Sequence, residues 1–358
     1  MKVFLMVPEM DLGGVEEGTF DLANGLKKIG IDVAVISGPG DYIPLLQEAG
    51  IKWFNLPTNK KTPVVFLKAL RKLKEILNKE EPDIIHCRSR FPAWIAYYAL
   101  SGSNKTKFIT SIHGYYSCPF YSKILAKGQR VIAISDALKE FAIKKLGAKP
   151  ELIRVVHNGI RFEPYINLKK EKHNEFVVGC IGRFTKLKGY QYIVKAFDIA
   201  KKVLPNIELM LVGDGPYKKK LEKLSKKLKL DVKFFKGKAY EFLPKMDLLV
   251  APHTETETLK KNVILWLGRT VYEAQLTEVP VLTTLKGVPK GTFIKTQTEL
   301  ITPPCDIQAI AKAIIFAATH SDEIRTMATN GKKFVINHFS VEQMVSKTLQ
   351  VYKEVVNG

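Results

Sequence analysis

The residues with the most chemistry to offer lie in one octapeptide, Gly182-Arg183-Phe184-Thr185-Lys186-Leu187-Lys188-Gly189. An apolar run, Phe176 to Ile181, precedes it, and an amphipathic segment, Ile193 to Val203, follows. A strand-to-helix turn of this composition directs backbone N–H groups, a helix N-terminus and two fixed cations, Arg183 and Lys188, toward one point. The ligand that suits such a point is a nucleotide diphosphate. Four further patterns keep a fixed order around it. They are Gly13-Gly14-Val15-Glu16 after the opening strand, His113-Gly114, Val212-Gly213-Asp214-Gly215-Pro216, and Gly268-Arg269-Thr270-Val271-Tyr272-Glu273-Ala274. Singly each is a common turn; the order gives them weight.

The elements that must position these residues alternate between strand-like and helix-like runs, the mark of parallel α/β sheets. Strands are expected near 2–7, 32–36, 51–55, 83–87, 107–112, 131–134 and 153–156. A second set is expected near 176–181, 207–212, 232–235, 247–251, 280–283 and 298–301. Leu22, Leu26 and Ile29 recur at helical spacing within 15–29. The lysine-rich stretch Asn167 to Glu175 lacks periodicity and reads as the linker. The expected organisation is therefore two doubly wound domains, 1–165 and 175–338, with a cleft outside their strand carboxyl ends. A last helix, Val341 to Val356, follows the completed second sheet.

Length and composition narrow the class. A chain of 358 residues exceeds one ordinary core and suits two domains. No segment approaches the roughly 20 apolar residues that span a bilayer. The start, Met1 to Pro8, is too short and too soon acidic, at Glu9 and Asp11, for a signal peptide. Cys87, Cys118, Cys180 and Cys305 lie far apart with no C-x-x-C pair, which argues against a metal site and for a reducing, cytoplasmic setting. The formal charge is +21, split as +8 over residues 1–165 (24 basic, 16 acidic) and +13 over the rest. Such an excess suits an anionic membrane or simple solubility. No nucleic-acid-binding motif accompanies it, and nucleic acid is not an expected partner.

Taken together, the five ordered patterns resemble the GT-B glycosyltransferases of glycosyltransferase family 4, a retaining, nucleotide-sugar-dependent group, over essentially the whole chain. Arg88-Ser89-Arg90-Phe91-Pro92-Ala93-Trp94 adds a likeness to bacterial lipopolysaccharide-core mannosyltransferases. The resemblance implies a GT-B fold, two Rossmann-like domains facing a cleft, with the 341–358 segment packing back on the first. It implies an acceptor-binding first domain and a donor-binding second domain. Arg183 and Lys188 would neutralise the diphosphate of the nucleoside-diphosphate sugar as charge builds on the leaving group. Gly13 and Gly14 would let backbone approach the phosphate. The N–H groups of Arg269 and Thr270 would face the diphosphate, and Glu273 would accept from both ribose hydroxyls. His113 would touch the transferred sugar, while Arg88 and Arg90 would serve the acceptor.

Three departures from the family pattern matter. The family's E-x(7)-E pair places Leu265 eight residues before Glu273. Pro252-His253-Thr254-Glu255-Thr256-Glu257 matches the family segment instead, with residues 259–266 inserted, so Glu257 becomes the expected glutamate facing the sugar. Lys286-Gly287-Val288-Pro289-Lys290 stands where the family tends to have G-G-x-x-E, and Arg161 stands where aspartate is usual. No D-x-D motif is present, and no cofactor or metal is expected. The implied activity is hexose transfer from a nucleotide sugar to a lipid-linked saccharide, such as a lipopolysaccharide core. The competing reading is a catalytically degenerate relative that binds a membrane. Helix 63–79, with Lys68, Arg71, Lys72, Lys74 and Lys79 outward, joins Arg88, Arg90 and the aromatic run 115–121 as the expected anionic-membrane face, peripheral at the inner side of the cytoplasmic membrane.

Overall fold

The computed structural model describes residues 1–11, 13–58, 62–102, 105–116, 118–252, 268–284 and 297–357. The chain divides into two compact units, Met1–Ile160 with Phe339–Gly358, and Arg161–His338.

The first unit is built on a seven-stranded parallel sheet: β1 (Lys2–Met6), β2 (Asp32–Ser37), β3 (Lys52–Asn55), β4 (Ile84–Cys87), β5 (Lys107–Ile112), β6 (Arg130–Ala133) and β7 (Ile153–Val155). Their spatial order is β3-β2-β1-β4-β5-β6-β7. Val3, Phe4, Leu5 and Met6 are all fully buried, which is why this strand reads as an unbroken apolar run: both faces of the sheet are covered. The order reverses between β1 and β4, and a doubly wound sheet binds its ligands outside the carboxyl ends of the strands at that reversal.

The helix Val341–Val356 belongs to this first unit, as expected for the crossing-back helix. Ser340 caps it by accepting from the Gln343 N–H at 3.1 Å. Its apolar face, Met344, Val345, Val351 and Val355, enters the core shared with Leu22 and Leu26 of the helix Gly14–Lys28. Glu354 accepts from Arg130 Nε at 2.8 Å and Arg154 Nε at 3.0 Å, and these two cations hold its carboxyl below the usual range. Tyr352 reaches the sheet interior, where its hydroxyl lies 2.7 Å from His86 Nδ1; His86 Nε2 meets the Ser111 hydroxyl on the other side. Burial and the Arg88 cation keep His86 neutral.

The second unit carries a six-stranded parallel sheet: β8 (Phe176–Ile181), β9 (Ile207–Val212), β10 (Val232–Phe235), β11 (Leu248–Ala251), β12 (Val281–Thr284) and β13 (Leu300–Thr302), ordered β10-β9-β8-β11-β12-β13. Here too the order reverses at the first strand, between β8 and β11. The helices Tyr190–Val203 and Ile307–Thr319 supply Ile193, Phe197, Ile310 and Ile314 to its core. The loops after β8 and β9 touch backbone to backbone. A Cβ on Gly213 (φ +146°) would fall 2.1 Å from the Gly182 carbonyl oxygen, so only glycine fits there. The stretch Asn167–Glu175 packs in this unit: the Glu171 amide donates to the Pro244 carbonyl at 2.8 Å, and Lys170 pairs with Asp247. All thirteen expected strands are present, with ends within two residues of the expected ones.

Candidate active site

In the first unit, the segments leaving β1, β4 and β5 enclose a recess of about 190 Å³, lined by Pro8, Val15, Glu16, Arg88, Ser89, His113, Gly114 and Tyr116. Each lining residue follows a strand carboxyl end beside the β1/β4 reversal, so the doubly wound topology itself assembles the recess. Arg88 is the first residue after β4, its amide donating to the Met6 carbonyl at 2.9 Å. It is only 4% exposed, and among the described residues its Nε and Nη2 have no hydrogen-bond partner. Burial lowers its pKa to about 10, against the raising pull of Tyr352, Glu16 and Asp21. His113, the residue after β5, is 7% exposed, and neither ring nitrogen has a partner among the described residues. Burial, reinforced by Arg88 and His86, keeps it neutral well below the usual histidine range. A neutral imidazole offers one donor and one acceptor, which suits a hydroxyl-bearing ligand.

The helix Gly14–Lys28 opens beside this recess, with the extended Gly13 as its N-cap. Gly13 and Gly14 are exposed. The obstruction to a side chain falls on Gly13, where a Cβ would lie 2.2 Å from Glu16 Oε2. Glu16 is half-buried, and burial raises its carboxyl pKa.

In the second unit, Arg183 is exposed on the loop after β8. Lys188 is not a fully exposed loop cation. It ends a 3₁₀ turn, Lys186–Lys188, and is half-buried, and burial holds its ammonium below the usual lysine range. Its Nζ lies 3.9 Å from where a Cβ on Gly268 would sit. Gly268 is the extended N-cap of the helix Arg269–Leu276. A buried ammonium therefore stands at the positive end of a helix, an arrangement that repels itself and favours an anion between the two. Arg269 and Glu273, one turn apart on this helix, are 7% and 5% exposed, with Nε and Oε1 3.8 Å apart. A solvated helix carboxylate is thus not what Glu273 is. Thr270 lies half-buried in the first turn.

The structure brings together Gly13, Arg88 and His113 in the first unit, and Lys188, Gly268, Arg269 and Glu273 in the second. Arg90 does not line the recess. Its guanidinium stacks on Tyr116 at 4.5 Å and Tyr121 at 5.4 Å, and Nη1 donates to the Ser122 hydroxyl at 3.3 Å. Arg88 is buried, which corrects its place among the surface cations of a membrane face. Glu257, Leu265, the segment 259–266 and the loop 286–290 lie outside the described residues. Sequence reasoning quoted Glu16 but assigned it no role; its position three residues after the N-cap glycine was the available signal. The His86–Tyr352 pair joins positions 266 residues apart and left no local signal.

Comparison with known proteins gives the family and the fold. Residues 12–163 match the model for Glycosyltransferase Family 4, and residues 162–334 match Glycosyl transferases group 1. The capsular polysaccharide biosynthesis glycosyltransferase CapM of Staphylococcus aureus is 26% identical, with 88% of each chain covered. The Escherichia coli UDP-Gal:alpha-D-GlcNAc-diphosphoundecaprenol alpha-1,3-galactosyltransferase is 24% identical over 89% of this chain and 87% of its own. Among solved structures, HepE of Anabaena in complex with UDP superposes with a TM-score of 0.82 at 20% identity, covering 99% of this chain and all of that one.

Proposed function

We propose, for a chain that belongs to the GT-B glycosyltransferases and draws its sugar from a nucleotide donor, that a hexose passes with retention of configuration to a lipid-linked saccharide of the cell envelope, such as a lipopolysaccharide core. The observation that carries the donor half of this reading is Lys188, a buried ammonium beside the N-terminus of the helix Arg269–Leu276. With Arg183 and the N–H groups of Arg269 and Thr270, it forms a cradle for the diphosphate without a metal. The leaving phosphate then helps deprotonate the acceptor hydroxyl on the same face. Glu273, shielded from water, suits the ribose diol; neutral His113 suits a sugar hydroxyl. Gly13 and Gly14 open the way for phosphate, Glu257 faces the sugar, and Arg88 with Arg90 serves the acceptor.

The lipid-linked acceptor is supported by the Escherichia coli relative, whose name places its acceptor on diphosphoundecaprenol. A surface of the first unit supports docking at the inner face of an anionic membrane. Val64, Leu67, Tyr97, Tyr98 and Phe120 are all exposed there, Phe120 by 82%. The exposed Tyr98 ring joins those of Phe66, Trp94 and Tyr121 in a series of contacts. Lys68, Arg71, Lys72 and Lys74 stand outward on the adjoining helix Pro63–Glu80. Apolar side chains flanked by cations give reversible interfacial binding, at about 1 kcal/mol per cation near an anionic surface. No helix among the described residues is long and apolar enough to cross a membrane.

The test is transfer from labelled UDP-, GDP- and ADP-hexoses to a diphosphoundecaprenol-linked saccharide in anionic and zwitterionic liposomes. Labelled product with one donor, faster on anionic vesicles and suppressed by salt, is the expected result. Donor turnover with no product on any lipid-linked acceptor contradicts the acceptor class. Glu257→Gln is expected to abolish transfer, with no rescue by Leu265→Glu.

A further inference from the structure

Every exposed residue between 218 and 229, in the second unit, is a lysine: Lys219, Lys220, Lys223, Lys226, Lys227 and Lys229. With Lys218 and the single acid Glu222, the stretch holds seven lysines against one carboxylate, a net +6 within a chain of +21. The helix Lys218–Lys227 carries most of them. Its Leu221 and Leu224, with Leu228 just beyond, pack on the core of this unit. At 3.6 residues per turn, the five exposed lysines of the helix fall within an arc of about 120°, turned away from those leucines.

That arc opposes its own helix. Lys218, Lys219 and Lys220 fill the first turn, the positive end of the dipole, and no acidic residue stands there. Lys219 with Lys223, and Lys223 with Lys227, are like charges one turn apart. Among the described residues none of the six helix lysines forms an ion pair, and Lys220 lies over the Tyr217 ring, 5.4 Å from its centre. Neighbouring lysines do pair: Lys233 with Asp231 at 2.6 Å and Lys202 with Asp198 at 2.7 Å. Solubility is served as well by cations interspersed with carboxylates. A repulsive arc without internal counter-charge is relieved when an outside anion covers it.

We propose that the lysine arc of the helix Lys218–Lys227 is a docking surface for an anionic lipid bilayer. Residues 218–229 contain no arginine and no aromatic residue, the side chains that fork onto single phosphates or stack on bases. Lysine offers a compact point charge on a flexible stem, which matches a diffuse layer of negative headgroups. No apolar side chain is exposed on the arc, so attachment is electrostatic alone and reversible. The surface lies wholly in the second unit and works without the aromatic face of the first.

The experiment is sedimentation of the full chain with vesicles of mixed phosphatidylglycerol and phosphatidylcholine, and of phosphatidylcholine alone. Wild type is compared with an arc variant, Lys219→Gln/Lys223→Gln/Lys226→Gln. A control, Lys195→Gln/Lys312→Gln/Lys333→Gln, removes the same charge from exposed lysines of the same unit outside the arc. The arc variant is expected to bind the anionic vesicles roughly 10- to 100-fold more weakly, at up to about fivefold per lysine near the surface. The control is expected to stay close to wild type, and the difference between the two to shrink as salt rises. Glutamine keeps the helix and lifts the repulsion, so the melting temperature of the arc variant is expected to equal or exceed that of wild type. Equal weakening in arc and control variants assigns binding to net charge and overturns the inference, as does unweakened vesicle binding by the arc variant. An arc variant that keeps vesicle binding but loses binding to a nucleic-acid duplex marks a nucleic-acid face and overturns it too. Weakening in the arc variant but not in Lys68→Gln/Lys72→Gln supports this surface and removes that of the first unit.

Discussion

Replacing Lys188 by methionine separates function from stability with opposite signs. The side chain is half-buried, its ammonium pKa is lowered by burial, and Nζ stands about one methyl contact from the N-cap of the helix Arg269–Leu276. A cation at that helix end is opposed by about 0.3–1 kcal/mol. Methionine fills similar space without the charge, so the melting temperature is expected to hold or rise by roughly 1–3 °C. For the bound diphosphate the balance reverses. A unit charge about 4 Å away at an effective dielectric near 20 contributes about 4 kcal/mol. Loss of one preorganised donor costs about 10²–10³ in turnover. The assay is nucleotide-sugar turnover, by release of the nucleoside diphosphate, beside a thermal melt of the same preparation. Turnover within threefold of wild type, or a melt lowered by 5 °C or more, refutes the assignment: Lys188 would then be a packing residue.

Tyr352→Phe removes the hydroxyl that meets His86 Nδ1 and leaves that nitrogen buried without a partner, a loss of about 1–3 kcal/mol; an unchanged melting temperature contradicts this. Gly213→Ala forces a Cβ to 2.1 Å from the Gly182 carbonyl oxygen at φ +146°, and is expected to cost at least about 2 kcal/mol in a denaturant melt, with soluble yield reduced. Glu80 is held down to about 2 by Lys2, at 2.7 Å, and Lys52. A depressed carboxyl stabilises above its unfolded pKa and loses that contribution as pH falls toward its folded value. The stability gap between wild type and Glu80→Gln is therefore expected to shrink from pH 5 to pH 2; a constant gap speaks against the pairing.

The strands were legible because parallel strands covered on both faces are written as local apolar runs, as in Val3 to Met6 and Phe176 to Ile181. Arg183, Lys188 and Glu273 stand out in the sequence because each sits at a fixed offset from a strand end or a glycine. Burial was not legible. Arg88 reads as one cation of a basic segment, yet the reversal between β1 and β4 draws it into the unit interior. Lys188 reads as a loop residue, yet a helix beginning 81 residues later covers it. The ring series from Phe66 to Tyr121 joins three separate segments, and no single window of sequence contains it. Local pattern specifies elements; the neighbours across elements decide whether a charge is solvated or poised.

The most direct measurement is calorimetric titration of the wild-type protein with UDP-, GDP- and ADP-hexoses in the presence of a metal chelator, repeated with Lys188→Met. One base class is expected to bind wild type and, at 100 times its Kd, to stabilise it by about 2.7 kcal/mol in a melt. Lys188→Met is expected to lose most of that binding. No binding by any nucleotide sugar, or binding that survives in Lys188→Met, would contradict the donor site placed at the N-terminus of the helix Arg269–Leu276.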